Sequence, residues 1–104
     1  MREPMLKTIK SEPIAVTTAM ADLVTLLSAA AFDTRMVQVE IQNTSSANNL
    51  NWIFTTSTPV SGDCVGLIPP ESFVSVDMMP EDGKVHVKGN ANLTGFVVQK
   101  GMRL

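Results

Sequence analysis

Short apolar segments, separated at nearly regular intervals by clusters of Asn, Ser, Gly and Pro, fill residues 37–99. The segments are rich in β-branched and aromatic residues and too short for ordinary helices. This spacing is typical of small antiparallel domains in which tight turns join successive strands. It predicts an all-β fold: a small antiparallel β-sandwich or flattened barrel of about seven or eight strands.

The clearest predicted strand is 36–42, in which apolar and polar residues alternate. Val37, Val39 and Ile41 are expected to share a buried face, and the residues between them a face that meets solvent or a partner. The other predicted strands are 14–18, 51–56, 73–78, 85–88 and 93–100. Residues 43–49, Asp82-Gly83 and Gly89-Asn90 have turn composition, and Pro69-Pro70 keeps 67–71 extended and non-helical.

Residues 19–32 are ambiguous. Met20, Leu23, Val24 and Leu27 fall near a 3.6-residue period, which favours a helix. Residues 23–27 also suit a strand, and we favour a strand followed by a helical turn.

The chain has 104 residues, the size of one domain. Pro4 and Pro13 bracket its first segment, which predicts an extended N-terminal arm over 1–13 and a sandwich domain over 14–104. A frayed terminus is the alternative. If the arm lies on a neighbouring molecule, its apolar residues Met5, Leu6 and Ile9 are the expected partner contacts.

Charge and composition disfavour several classes of partner. The net charge is −2, Lys and Arg form no run, and aromatic residues are limited to one Trp and four Phe, so we expect no nucleic-acid binding. The most apolar segment, 23–32, is too short to cross a bilayer, so we expect no membrane association. The start of the sequence shows no signal-peptide pattern, which predicts synthesis in the cytoplasm.

The residue types used in catalysis are sparse. His86 is the sole histidine and Cys64 the sole cysteine, which leaves too few ligands for a metal site and no supported nucleophile–base pair. Because the side chain of His86 points away from those of Val85 and Val87, we expect it on the wetter side of its strand. Trp52 is either a core residue or a sugar-stacking platform. The sequence therefore predicts no enzyme, no cofactor and no metal.

The order of segments resembles small β-sandwich proteins of tailed-phage virions, most of all capsid decoration (cement) proteins. The resemblance covers residues 15–100 and consists of strands and turns, with no catalytic signature. The matching segments are Ile41-Gln42-Asn43-Thr44-Ser45, Trp52-Ile53-Phe54, Gly66-Leu67-Ile68-Pro69-Pro70-Glu71-Ser72, Val85-His86-Val87 and Phe96-Val97-Val98.

The resemblance implies a structural virion protein that is made in the host cytoplasm and binds the outside of the capsid. There it would stabilise contacts between subunits of the major capsid protein, as a homo-oligomer and often as a homotrimer. Two alternatives stay open: a head–tail or tail structural protein of the same virions, and a carbohydrate- or receptor-binding β-sandwich module. The resemblance assigns no individual functional residue.

Overall fold

The computed structural model describes residues 6–55, 66–81 and 84–102. These residues form eight strands and one short 3-10 helix, Leu23–Leu26. The strands are β1 (Leu6–Val16), β2 (Ala21–Asp22), β3 (Met36–Asn43), β4 (Leu50–Thr55), β5 (Gly66–Ile68), β6 (Phe73–Asp77), β7 (Lys84–Gly89) and β8 (Leu93–Met102).

The strands form two antiparallel sheets of four strands each. Sheet I has the order β1-β8-β3-β6, and sheet II has the order β2-β7-β4-β5. The predicted all-β sandwich is confirmed, and the two sheets do not close into a barrel. The predicted turn at Asp82-Gly83 lies outside the described residues.

The core lies between the two sheets and is almost entirely aliphatic. Sheet I contributes Val39, Ile41 and Val97, all at most 1% exposed, and sheet II contributes Val85 and Val87. The strands supply these residues at alternate positions because successive side chains of a strand point to opposite faces.

The start of β3 departs from the predicted alternation. The register between β3 and β8 shifts between Met36 and Gln38, so Val37 is an extra residue in the ladder. As a result Met36 is fully buried, whereas Val37 is half-buried. The prediction of a buried Val39 and Ile41 is confirmed, and that of a buried Val37 is wrong.

The first strand begins at Leu6, earlier than the predicted start at residue 14. Residues 6–13 of the predicted arm pair with β8 of the same chain, from Leu6 opposite Met102 to Pro13 opposite Phe96. Pro13 is tolerated because β1 is an edge strand, where a missing N–H need not break a ladder bond.

Residues 19–32 contain a strand followed by a helical turn, but both differ from the prediction in place. The strand is only Ala21–Asp22, and the 3-10 helix occupies the residues expected to be extended. Asp22 caps this helix, because its carboxylate accepts the Val24 N–H at 3.2 Å while Thr25 Oγ1 donates to the Asp22 carbonyl at 2.7 Å. Capping by Asp therefore overrides the strand propensity of the apolar run.

Candidate assembly surfaces

His86, the strongest candidate for chemistry in the sequence, is buried. It faces away from Val85 and Val87, on the outer side of sheet II, between Asp22 of β2 and Ile53 of β4. The residue is nevertheless only 8% exposed, so the prediction of a wet environment is wrong. β7 has a strand on each side, so residues of both neighbouring strands flank His86. Its Nδ1 atom has no hydrogen-bond partner among the described residues.

The described residues hold no group of three or more His, Cys, Asp and Glu side chains placed to bind a metal. The same part of the chain has no helix that is long and apolar enough to span a bilayer. Cys64 lies outside the described residues.

Trp52 packs against the hydrophobic core, in agreement with its interpretation as a core residue. It lies opposite Gly66 in the β4–β5 ladder. A Cβ atom at position 66 would overlap the indole ring, so Gly66 leaves the space that the ring occupies. Close cover of a strand glycine by a cross-strand aromatic ring also shields the glycine backbone.

Gly66→Ala is therefore expected to displace the Trp52 ring and lower the free energy of unfolding by about 1 to 3 kcal/mol. Because Trp52 is the only tryptophan, its fluorescence emission reports this site alone. The emission maximum should shift to longer wavelength as the ring gains solvent contact. Leu67→Ala, in the same strand but 56% exposed and on the opposite face of the sheet, is the control. An unchanged spectrum of Gly66→Ala would contradict the packing described here.

The loop between the 3-10 helix and β3 is held to β1 through the Glu12 carboxylate and to β8 through the Asp33 backbone, and it contains an Asp33–Arg35 ion pair. Hydrogen bonds from Ser28 lower the pKa of Glu12 on β1. The bond from the Ser28 side chain has the larger effect, and the bond from its backbone N–H the next largest. Hydrogen bonds from Arg35 lower the pKa of Asp33 to about 2. The backbone N–H of Asp33 also donates to Oε1 of buried Gln99 at 2.6 Å.

These pKa shifts predict a loss of stability in acid. Both carboxyls hold protons less tightly in the folded state than in the unfolded state. Each therefore stabilises the fold fully when the pH is above its ordinary pKa, which is 4.5 for Glu12 and 3.8 for Asp33. This stabilisation is lost as the pH falls through the folded pKa values, toward about 2. The free energy of unfolding, measured with urea across this range, should depend less on pH for the double variant Glu12→Gln, Asp33→Asn than for the wild type. Equal slopes would show that the two carboxylates do not contribute.

The outer face of sheet I is a candidate contact surface. It is formed by the outward side chains of β1, β8, β3 and β6, which the ladders align in rows across the sheet. One row crosses Pro13, Phe96, Gln42 and Phe73, and a parallel row near the other end pairs Leu6 with Met102.

Polar groups in the middle of this face are paired with one another. Glu40 accepts hydrogen bonds from Lys100 Nζ at 3.2 Å and from Gln42 Nε2 at 2.6 Å. Gln38 Nε2 donates to Asp77 Oδ1 at 2.9 Å. Because these groups already satisfy one another, covering them with a partner costs less than covering isolated charges.

Large apolar side chains are exposed at both ends of the face. Phe73 is 64% exposed at one end, and Met102 and Leu6 are 42% and 36% exposed at the other. Isolated exposed apolar residues are ordinary on protein surfaces. Their placement at opposite ends of a paired polar centre makes this face suitable for a broad, flat contact.

An open groove of about 370 Å³ adjoins the face where β3 ends and β6 begins. Its lining residues are Gln42, Asn43, Thr44, Glu71, Ser72 and Phe73. Glu71 has a φ of 60°, a conformation that costs a non-glycine residue free energy. Its backbone N–H donates to the Ser45 carbonyl at 3.1 Å, which holds this turn against the β3–β4 loop.

The predicted contact residues separate in the structure. Leu6 is exposed on the outer face of sheet I, where a partner could reach it. Ile9 is half-buried, lies at the register shift of β1 and packs beside Gly101 of the same chain. Met5 lies outside the described residues.

The sequence prediction did not identify Phe73 and Met102 as exposed apolar residues of this face. The alternation of their strands could have indicated an outward direction, because both lie an even number of positions from other outward residues of the same strand.

Comparison with protein-family models, curated proteins and solved structures finds no match for this chain.

Proposed function

We propose that this protein is a structural virion protein of a tailed phage. It binds the outside of the capsid and stabilises contacts between major capsid subunits. The observation that carries the proposal is the outer face of sheet I, with exposed Phe73 at one end, Met102 and Leu6 at the other and paired polar groups between them. The resemblance of the strand order to decoration proteins supplies the identity of the partner.

The surface suits a contact that is repeated many times. Apolar side chains at the ends of the face supply affinity when they leave water, and the paired polar centre limits the cost of desolvation. A homo-oligomer that engages several capsid sites at once binds far more tightly than one copy.

Substituting one exposed residue tests the face. Met102→Glu places a charge in the contact and is expected to weaken binding to expanded capsids on the order of tenfold. The capsids are assembled from the major capsid protein of the same genome, and binding is measured by co-sedimentation. Leu67→Glu is the matched control, since Leu67 is 56% exposed but belongs to sheet II.

Three results would contradict the proposal. They are bare capsids with the wild type, wild-type affinity of Met102→Glu, and loss of binding by Leu67→Glu. Point substitution is preferable to deletion of residues 1–12, because deletion would remove the part of β1 that pairs with β8 and could unfold the domain.

A further inference from the structure

The edges of the two sheets differ in how well they are protected against pairing with another chain. β1 is an edge strand of 11 residues, interrupted by Pro13 and by a register shift beside Ile9. The edge strands of sheet II, β2 and β5, have only two and three residues. Short length, proline and bulges are the usual means by which proteins keep edge strands from associating.

β6, the other edge of sheet I, has none of these features. It has five residues in regular register with β3, without proline, bulge or basic side chain. Its sequence, Phe-Val-Ser-Val-Asp, has high β-propensity. By comparison with β1, this edge is open to association.

Hydrogen bonds at the two ends of β6 show which backbone groups face outward. The Asn43 N–H donates to the Ser72 carbonyl at 2.8 Å, and the Met78 N–H donates to the Val37 carbonyl at 3.1 Å. In an antiparallel ladder, the backbone N–H and C=O groups of successive residues point to opposite sides of the strand. The backbone groups of the even-numbered residues of β6 therefore point toward β3. Those of Phe73, Ser75 and Asp77 point away from the sheet.

We propose that β6 pairs with β6 of a second copy of this chain, antiparallel and centred on Ser75. In this register Ser75 lies opposite Ser75 of the second copy, and Phe73 lies opposite its Asp77. All the outward backbone groups then meet as hydrogen-bonded pairs, in which each pair exchanges both N–H···O bonds. Sheet I continues across the two-fold axis as an eight-stranded sheet.

The side chains are compatible with this register. Asp77 faces Phe73 of the second copy, so no like charges lie directly opposite each other. On the inner face, Val74 meets Val76 of the second copy. Both valines are half-buried and pack against the edge of the core, so pairing buries apolar surface that one copy leaves exposed. Because a two-fold contact closes at two copies, this interface predicts a dimer in place of the trimer that the family resemblance implies.

Ser75→Lys disrupts the dimer selectively. In one copy the new ammonium group lies opposite Glu40 on β3, a favourable cross-strand pair. In the dimer it lies opposite the same lysine of the second copy. Ser11→Lys is the matched control, because Ser11 lies in the same row of sheet I on the far edge strand.

Sedimentation equilibrium should show that the wild type and Ser11→Lys form dimers with equal dissociation constants. Ser75→Lys should raise the dissociation constant about five- to tenfold. A monomeric wild type at about 1 mM would overturn the proposal, since even a weak specific contact is populated at that concentration. So would a dimer or trimer that Ser75→Lys leaves intact.

Amide hydrogen exchange by NMR provides a second readout that does not rely on a variant. On raising the concentration, exchange should slow at Phe73, Ser75 and Asp77, while Val74 and Val76 are protected at every concentration by their bonds to β3. Equal, concentration-independent exchange at the odd-numbered residues would overturn the proposal. The result is independent of capsid binding, which Met102→Glu tests on β8, an interior strand of sheet I.

Discussion

Asn43→Ala is expected to lower the free energy of unfolding by about 3 to 4 kcal/mol, one of the largest effects of any single substitution in the chain. Asn43 ends β3 and is 1% exposed. Its Nδ2 donates to the carbonyls of Asn48 at 2.7 Å and Ile68 at 2.9 Å, and its Oδ1 accepts the Ser45 N–H at 3.0 Å. Alanine leaves these backbone groups without their partner.

Urea unfolding at neutral pH measures this effect. Asn90→Ala is the matched control, because Asn90 is exposed and its side chain accepts one hydrogen bond, from the Asn49 N–H at 3.0 Å. Its loss should cost less than about 1 kcal/mol. Equal costs for the two variants would show that the buried Asn43 network does not stabilise the fold.

Ile41→Ala is expected to cost a similar 3 to 4 kcal/mol, on the order found for aliphatic truncations in well-packed cores. Ile41 is fully buried on β3, which has a strand on each side. Removing most of its side chain leaves a cavity that the flanking strands cannot close.

Phe73→Ala is the control for Ile41→Ala. Phe73→Ala removes more atoms than Ile41→Ala, but Phe73 is 64% exposed. The substitution should therefore lower the free energy of unfolding by less than about 1 kcal/mol. Urea unfolding of both variants measures the difference. If Phe73→Ala proved as destabilising as Ile41→Ala, Phe73 would be a core residue and could not serve as a free contact residue.

Local patterns in the sequence were sufficient to predict the fold class and most strands. Alternation along 36–42 identified β3, and turn composition located the loop between β3 and β4. What the pattern could not show was the bulge at Val37, because a bulge depends on the register with β8. The same limit applies to His86, whose burial depends on the strands on both sides of β7.

The candidate surface was harder to predict than the fold. Alternation along a strand predicts which of its two faces meets the core. Strand order decides which sheet and which edge strand remain accessible to a partner, and the sequence pattern does not show strand order. Phe73 is exposed because β6 is an edge strand of sheet I. Asn43 reads as an ordinary turn residue, and only the tertiary structure brings Ile68 to its amide group.

A cryo-electron microscopy reconstruction of expanded capsids incubated with this protein tests the proposed function most directly. The account predicts added density on the outer surface, into which the sandwich fits with the outer face of sheet I against the shell. Capsids that stay bare, or density attached only through sheet II, would contradict it.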